Sequence, residues 1–263
     1  MAKIVKKQNT EVAKKIDASL IIEDAGTASE GMTQEDMMIP RLSILQALSP
    51  QVNKRDGSYV EGAEAGHIYD TVSNTVFDGE KGITVLPISY RRAHVEWKAD
   101  RGGFVADHGN DASVLTGCEN QDGKMITDQG TEIVVNAEYF LFVIDKDGGY
   151  TPAVLSMSSS QLKKSRRWNS MINRLQIPHP TEENATINPA MFWTAYQLTT
   201  VPEENDKGSW FGWNIEMLYD AKSGGIMDQV TNGVNIYLDA RDFKAKISTG
   251  DVKATPAQSE EAM

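Results

Sequence analysis

Hydrophobic positions along this chain follow two periods. Over Ile83–Lys98 (ITVLPISYRRAHVEWK) β-branched and aromatic residues alternate in part with polar ones, the period-two pattern of a strand. Val95 and Trp97 share one face of it, and Tyr90, Arg92, His94 and Lys98 share the other. Glu132–Ile144 (EIVVNAEYFLFVI) becomes apolar on both faces, as a buried strand does. It runs into Asp145-Lys146-Asp147-Gly148-Gly149, a turn by composition, and then into Tyr150–Met157, which predicts a β-hairpin. A helical period follows. Ser158, Ser159 and Ser160 offer an N-cap, Leu162, Trp168, Met171, Ile172 and Leu175 form one broad face, and Pro178 supplies a stop. Lys163, Arg167 and Arg174 project elsewhere. Two more strands, Ala190–Val201 and Ser209–Leu218, flank the turn Glu203–Gly208. In the last of them Phe211, Trp213, Ile215 and Met217 take one face, leaving Trp210, Asn214 and Glu216 on the other.

The predicted order is strand, strand, strand, helix, strand, strand. This order fits a mainly β fold, an OB-fold-like β-barrel of five strands with a helix between strands 3 and 4. Other small barrels and α+β sheets carry the same string. The region from Ile39 to Gly82 precedes the barrel as a cap or interface element. Residues 1–38 read as a flexible N-terminal extension and 249–263 as a flexible C-terminal tail, with one domain over 39–248 between them. A short helix over Thr10–Ile22 is compatible with the pattern, but a solvated tail fits it better. No internal repeat is visible.

Composition narrows the function classes. The longest clean apolar run, Tyr139–Ile144, is too short to span a membrane, and the basic N-terminus lacks the apolar core of a secretory signal. A single cysteine, Cys118, excludes a disulfide scaffold and a multi-thiolate metal site. The compartment these features favour is a cytoplasm. A net charge of −11 argues against coating nucleic acid by bulk attraction. The distribution of charge changes that picture. From Gly148 to Thr181 there is no Asp or Glu, yet Lys163, Lys164, Arg166, Arg167 and Arg174 lie inside, while Asp17–Asp36 holds six acids and no base.

Enzyme signatures are absent: there is no phosphate-binding glycine loop, nucleophile elbow or HExxH helix. His67, His94, His108 and His179 are scattered without ligand spacing. Cys118 has no base beside it in sequence, which favours an inert thiol. Asp145 and Asp147 resemble a carboxylate pair for a divalent ion, but Asp and Gly make turns by themselves. The expectation is a non-enzyme with no catalytic residue, no metal site and no cofactor.

Binding signals are stronger. Single-stranded nucleic acid asks for cations to follow phosphates and exposed rings on which bases stack. Tyr90, Arg91, Arg92, Lys98 and Arg101 interleave rings and cations before Gly102-Gly103, although a half-buried strand with a solvated charged face reads alike. Lys163, Lys164, Arg166 and Arg167 crowd four cations into five positions, where like charges repel unless an anion offsets them. Of the rings Phe192, Trp193, Tyr196, Trp210, Phe211 and Trp213, alternation turns Trp193 and Trp210 away from the core. An oligomer interface would use an exposed Trp equally well.

The strings IPRLSILQALSPQV, YRRAHVEWKADRGGFVADH, LSMSSSQLKKSRRWNSMI and YQLTTVPEENDKGSWFGWNIE resemble a group of tailed-bacteriophage proteins over about Ile39–Leu218. The group is associated with replication-type genes and with phage single-stranded DNA-binding proteins of the OB type. The resemblance implies a sequence-independent ssDNA-binding protein that protects single strands in replication, recombination or repair, in the cytoplasm of the infected host. Its partners would be ssDNA, phage replication or recombination proteins and further copies of itself, with no membrane. Many single-strand binders end in an acidic tail tipped by an aromatic residue; this chain ends in SEEAM, which puts recruitment through that tail in doubt. The alternative is a virion structural or assembly protein, in which exposed Trp residues make subunit contacts.

Overall fold

A computed structural model describes residues 18–24, 27, 30–32, 38–206, 208–218 and 224–252. The chain divides into a short unit, Met1–Met38, and a large one, Ile39–Met263. In the short unit Ala18–Glu23 forms helix α1, with Leu20 and Ile22 exposed. The remainder of the two expected flexible ends lies largely outside the described residues. The start of the C-terminal segment is described, and Val252 is buried beside Phe140 and Val154.

The large unit is mainly β. Its strands are β1 (Arg41–Ile44), β2 (Ile68–Asp70), β3 (Val76–Phe77), β4 (Ile83–Trp97), β5 (Phe104–Asp107), β6 (Glu119–Gln121), β7 (Lys124–Ile126), β8 (Glu132–Ile144), β9 (Tyr150–Ser158), the small ribbon β10 (Ile177–Pro178) with β11 (Thr186–Ile187), β12 (Tyr196–Asn205) and β13 (Gly208–Met217). Helix α2 (Leu162–Arg174) precedes the ribbon; α3 (Ile226–Gln229) and α4 (Gly233–Thr249) follow β13. All five expected strands form, and the expected helix falls between the third and fourth of them. The five-strand count is corrected: the main sheet has eleven strands, with β13-β12-β4-β8-β9-β1-β2-β3 as its continuous path.

The extra strands have two sources. The segment before β4, expected as a cap, contributes β1–β3, with β1 running parallel to β9. The far halves of β4 and β8 extend into an arm, where β5 pairs with β4, β7 with β8, and β6 with β7. The sheet curls into a half-barrel. Where its two ends approach, side chains take the place of a ladder. Gln46 receives the Phe211 N–H at 2.8 Å and returns an N–H to the Phe211 carbonyl at 3.0 Å. Gln161 Oε1 accepts from the Trp213 N–H at 3.0 Å. These amides satisfy the edge of β13, which would otherwise offer open hydrogen-bonding groups.

Two helices cover the sheet. On the inner face Val85, Tyr139, Leu141, Leu155, Met157, Leu198 and Trp213 surround Trp168 of α2, which is fully buried. On the opposite face Leu86, Ile88, Phe142 and Ile144 pack against Ile236 and Ala240 of α4. A Pro explains why β4 alternates only in part. Pro87 has no N–H for the ladder, and the pairing with β8 shifts between Pro87 and Ser89. The bulge resets the parity, so that Ile83 and Val85 share the inner core with Tyr90 while Leu86 and Ile88 face α4.

Candidate nucleic-acid interface

The candidate residues separate into committed and free groups. In the strand segment, Arg91 donates to Glu138 through Nε at 2.7 Å and to Asp107 through Nη2 at 2.7 Å. Glu138 is 2% exposed and also accepts from Arg41 at 3.1 Å and Ser156 Oγ at 3.1 Å. Burial alone would favour the neutral form of Arg91; the charges of Glu138 and Asp107 outweigh it and raise the guanidinium above its ordinary range. Arg101 is directed to Glu132, 3.5 Å away. The Tyr90 ring lies against Tyr139 with centroids 5.2 Å apart. Arg92 and Lys98 are exposed, and their charged groups have no hydrogen-bond or ion-pair partner among the described residues.

The tryptophans proposed for stacking are engaged within the chain. Trp193 sits in a 3-10 turn, Met191–Trp193, ahead of β12. Strand alternation therefore does not govern it, and its half-buried ring lies edge-on to Tyr237. Its indole N–H is buried without a hydrogen-bond partner among the described residues. Trp210 is half-buried and donates from Nε1 to Glu203 at 2.8 Å. Glu203 also accepts from Gln161 Nε2 at 3.0 Å and pairs with Lys164 at 2.5 Å. Partial burial pushes Glu203 upward, but the hydrogen bonds from Lys164, Gln161 and Trp210 prevail and hold it below its ordinary range. Sequence reading placed Glu203 in a turn and missed this role. The available signal was the acid-free helix, two of whose lysines stand at its positive N-terminal end.

Helix α2 retains the free cations. Ser158–Ser160 do not cap it; Ser159–Gln161 makes a 3-10 turn, and α2 itself starts with no side-chain cap. Trp168 anchors the inward face, stacking on Tyr139 at 4.3 Å. The Tyr139 hydroxyl, 2.9 Å from Asn169 Oδ1 and 2.8 Å from Ser165 Oγ, fixes the rotation of the helix. That rotation leaves Lys163, Arg166, Arg167 and Arg174 exposed, with no partner for their charged groups among the described residues. At 3.6 residues per turn Lys163, Arg167 and Arg174 fall within about 40° of one another, a stripe roughly 16 Å long.

The histidine and cysteine positions have ordinary partners. His108 Nε2 lies 2.8 Å from Glu96 Oε2, His94 Nδ1 lies 3.0 Å from the Gly109 carbonyl, and the Cys118 thiol contacts the Val114 carbonyl at 3.2 Å. Burial raises the Cys118 thiol, with Glu96 and Asp128 adding to the shift. Asp145 Oδ1 accepts from the Asp147 and Gly149 amides at 2.9 and 2.8 Å, a turn-forming arrangement. Among the described residues no helix is long and apolar enough to cross a membrane.

The fold and this surface define a mainly β protein with a curled sheet, covered on both faces by helices, one of which presents an acid-free basic stripe. The chain belongs to the Pam3 phage gp34-like protein family, whose model matches residues 7–253, and it is therefore a phage protein. No curated protein and no solved structure matches it.

Proposed function

We propose that this phage protein binds the phosphate backbone of DNA, single strands included, without reading sequence, through the outer stripe of α2. The observation that carries the reading is the set of four exposed cations, without partners among the described residues, on a helix within an acid-free stretch of a protein whose net charge is −11. Lys163 stands at i,i+3 and i,i+4 to Arg166 and Arg167, and like charges at those spacings cost a few tenths of a kcal/mol each. A bound polyanion offsets that repulsion and releases its counterions. Arg92 and Lys98 are further cations available on the same chain.

Ring stacking has no part in this form of the proposal, because Tyr90, Trp193 and Trp210 are engaged within the chain. Phosphate neutralisation therefore supplies the affinity, and a large preference for single strands is not expected. An OB-derived core is part of the same inference. Its support is the side-by-side order β13-β12-β4-β8-β9, the 5-4-1-2-3 adjacency of such a barrel, with β1 interposed where β9 would meet β13.

The test is fluorescence anisotropy of a labelled dT oligonucleotide and a labelled duplex of equal length, at low and moderate salt. Binding of both, weakened by salt and accompanied by little quenching of intrinsic Trp emission, supports the reading. Absence of binding to either at low salt removes it and favours a structural or assembly role in the virion.

A further inference from the structure

The arm is a sheet with two ends. Its strands lie in the order β6-β7-β8-β4-β5, and among the described residues neither β6 nor β5 has a strand on its outer side. Such an edge offers unpaired backbone groups to a further strand. The two edges present different side chains. Glu119, Asn120 and Gln121 of β6 are all polar and exposed. On β5 the consecutive residues Phe104 and Val105 are 43% and 42% exposed. Phe104 is held edge-on against Trp97, with ring centroids 6.0 Å apart. The pairing with β4 shifts between Glu96 and Trp97, so Val105 is the extra residue of a bulge and has no partner on β4.

The charges flanking β5 decide what fits it. The Lys98 stem lies over Gly103, just ahead of the strand, and its ammonium has no partner among the described residues. Asp111 lies beyond the other end, exposed, with Oδ1 accepting from the Ser113 N–H at 2.9 Å. One end of the edge is therefore positive and the other negative. A second β5 laid antiparallel brings Lys98 of each chain toward Asp111 of the other and sets Phe104 against Val105 across a two-fold axis. A parallel mate would set like charges together. We propose that two copies of this chain associate through β5, edge to edge and antiparallel, which joins their arms into one continuous sheet. The contact uses up both edges and so closes at a dimer. It is separate from the α2 stripe and does not depend on the DNA-binding reading.

The test is sedimentation equilibrium of the full chain in buffer free of nucleic acid. A short edge contact is weak, and a monomer–dimer equilibrium with a Kd of about 10–100 µM is expected. Val105→Asp, at an exposed side chain, should raise that Kd about tenfold or more. Charge reversal tests the antiparallel arrangement. Lys98→Glu alone and Asp111→Lys alone each place like charges together twice, and each should weaken the dimer about tenfold. An equimolar mixture of these two variants should regain the wild-type affinity, because both flanking pairs of the mixed dimer are again opposite in sign. That recovery also shows that both variants are folded. Arg166→Ala with Arg167→Ala should leave the equilibrium unchanged. A chain that stays monomeric well above the expected range, a dimer that Val105→Asp leaves intact, or a mixture no more associated than its components would overturn the proposal. So would association that continues past two copies, since a two-fold edge contact closes.

Discussion

The strand segment 90–101 and the helix 162–174 look alike in sequence, since both crowd cations beside aromatic rings. In the folded chain most of their cations are used differently, although Arg92 and Lys98 of the first stay exposed and Lys164 of the second pairs with Glu203. Arg91 and Arg101 are turned to carboxylates and Tyr90 to the core, whereas the charged groups of Lys163, Arg166 and Arg167 have no partner among the described residues. The difference lies in what each element makes its neighbour. A strand residue faces a cross-strand partner many positions away, and Arg91 stands directly opposite Glu138 on β8. The outward face of a helix meets mainly residues three and four positions away, and around α2 none of these is acidic. The charge of a helix face can therefore be read locally, whereas that of a strand requires the register.

The sharpest break of this comparison is at Glu138. Glu138→Ala leaves Arg41 and Arg91 without their buried counter-charge and should cost about 3–5 kcal/mol of stability. Chemical denaturation would measure that loss; a change below about 1 kcal/mol would show that the network is solvated. Trp168→Ala removes the anchor that sets the rotation of α2 and should cost a similar amount, about 3–5 kcal/mol. It should also disturb DNA affinity, because the stripe loses its fixed presentation. Titration of both properties in one variant distinguishes an anchored helix from a merely tethered one.

Glu203 gives a smaller, pH-dependent effect. Its carboxyl is held below its ordinary range in the folded state, so its stabilisation is present above the unfolded pKa of about 4.3 and is lost as pH falls through the lower folded value. The group is partly exposed, and the contribution should stay under about 1 kcal/mol. Glu203→Gln should flatten that portion of the stability–pH curve below pH 4.3 and leave the neutral-pH fold intact. A curve identical to the wild type there would mean that Lys164 and Trp210 are held by packing alone.

Much of the fold was legible because its long elements are periodic. The five strands and α2 follow directly from hydrophobic spacing. Helix α4 was missed although its pattern, Ile236, Ala240, Phe243 and Ile247, has helical spacing. The two-sided apolarity of β8 was a second signal for it, since one helix cannot cover both faces of a sheet. The strands β1–β3 and β5–β7 are two to four residues long, too short for a period to show, and β1 takes its place in the sheet from β9, more than a hundred residues away. The candidate site was half legible. The α2 stripe was visible as an acid-free run, but the partners Glu138, Glu132 and Glu203 depend on cross-strand and tertiary register. Trp193 was misplaced because the expected strand begins only at Tyr196, beyond the turn that holds the indole.

The most direct measurement compares the salt dependence of DNA affinity in the wild type, in Arg166→Ala/Arg167→Ala and in Arg91→Ala. If α2 carries the phosphate contacts, removing two of its cations should lower affinity and flatten the slope of log K against log salt by about 1.4 on a single strand. Arg91→Ala should lower stability while leaving that slope unchanged. An unaltered slope in the α2 variant, or a flattened one in the Arg91 variant, would contradict the assignment of the free helix cations as the DNA-binding surface.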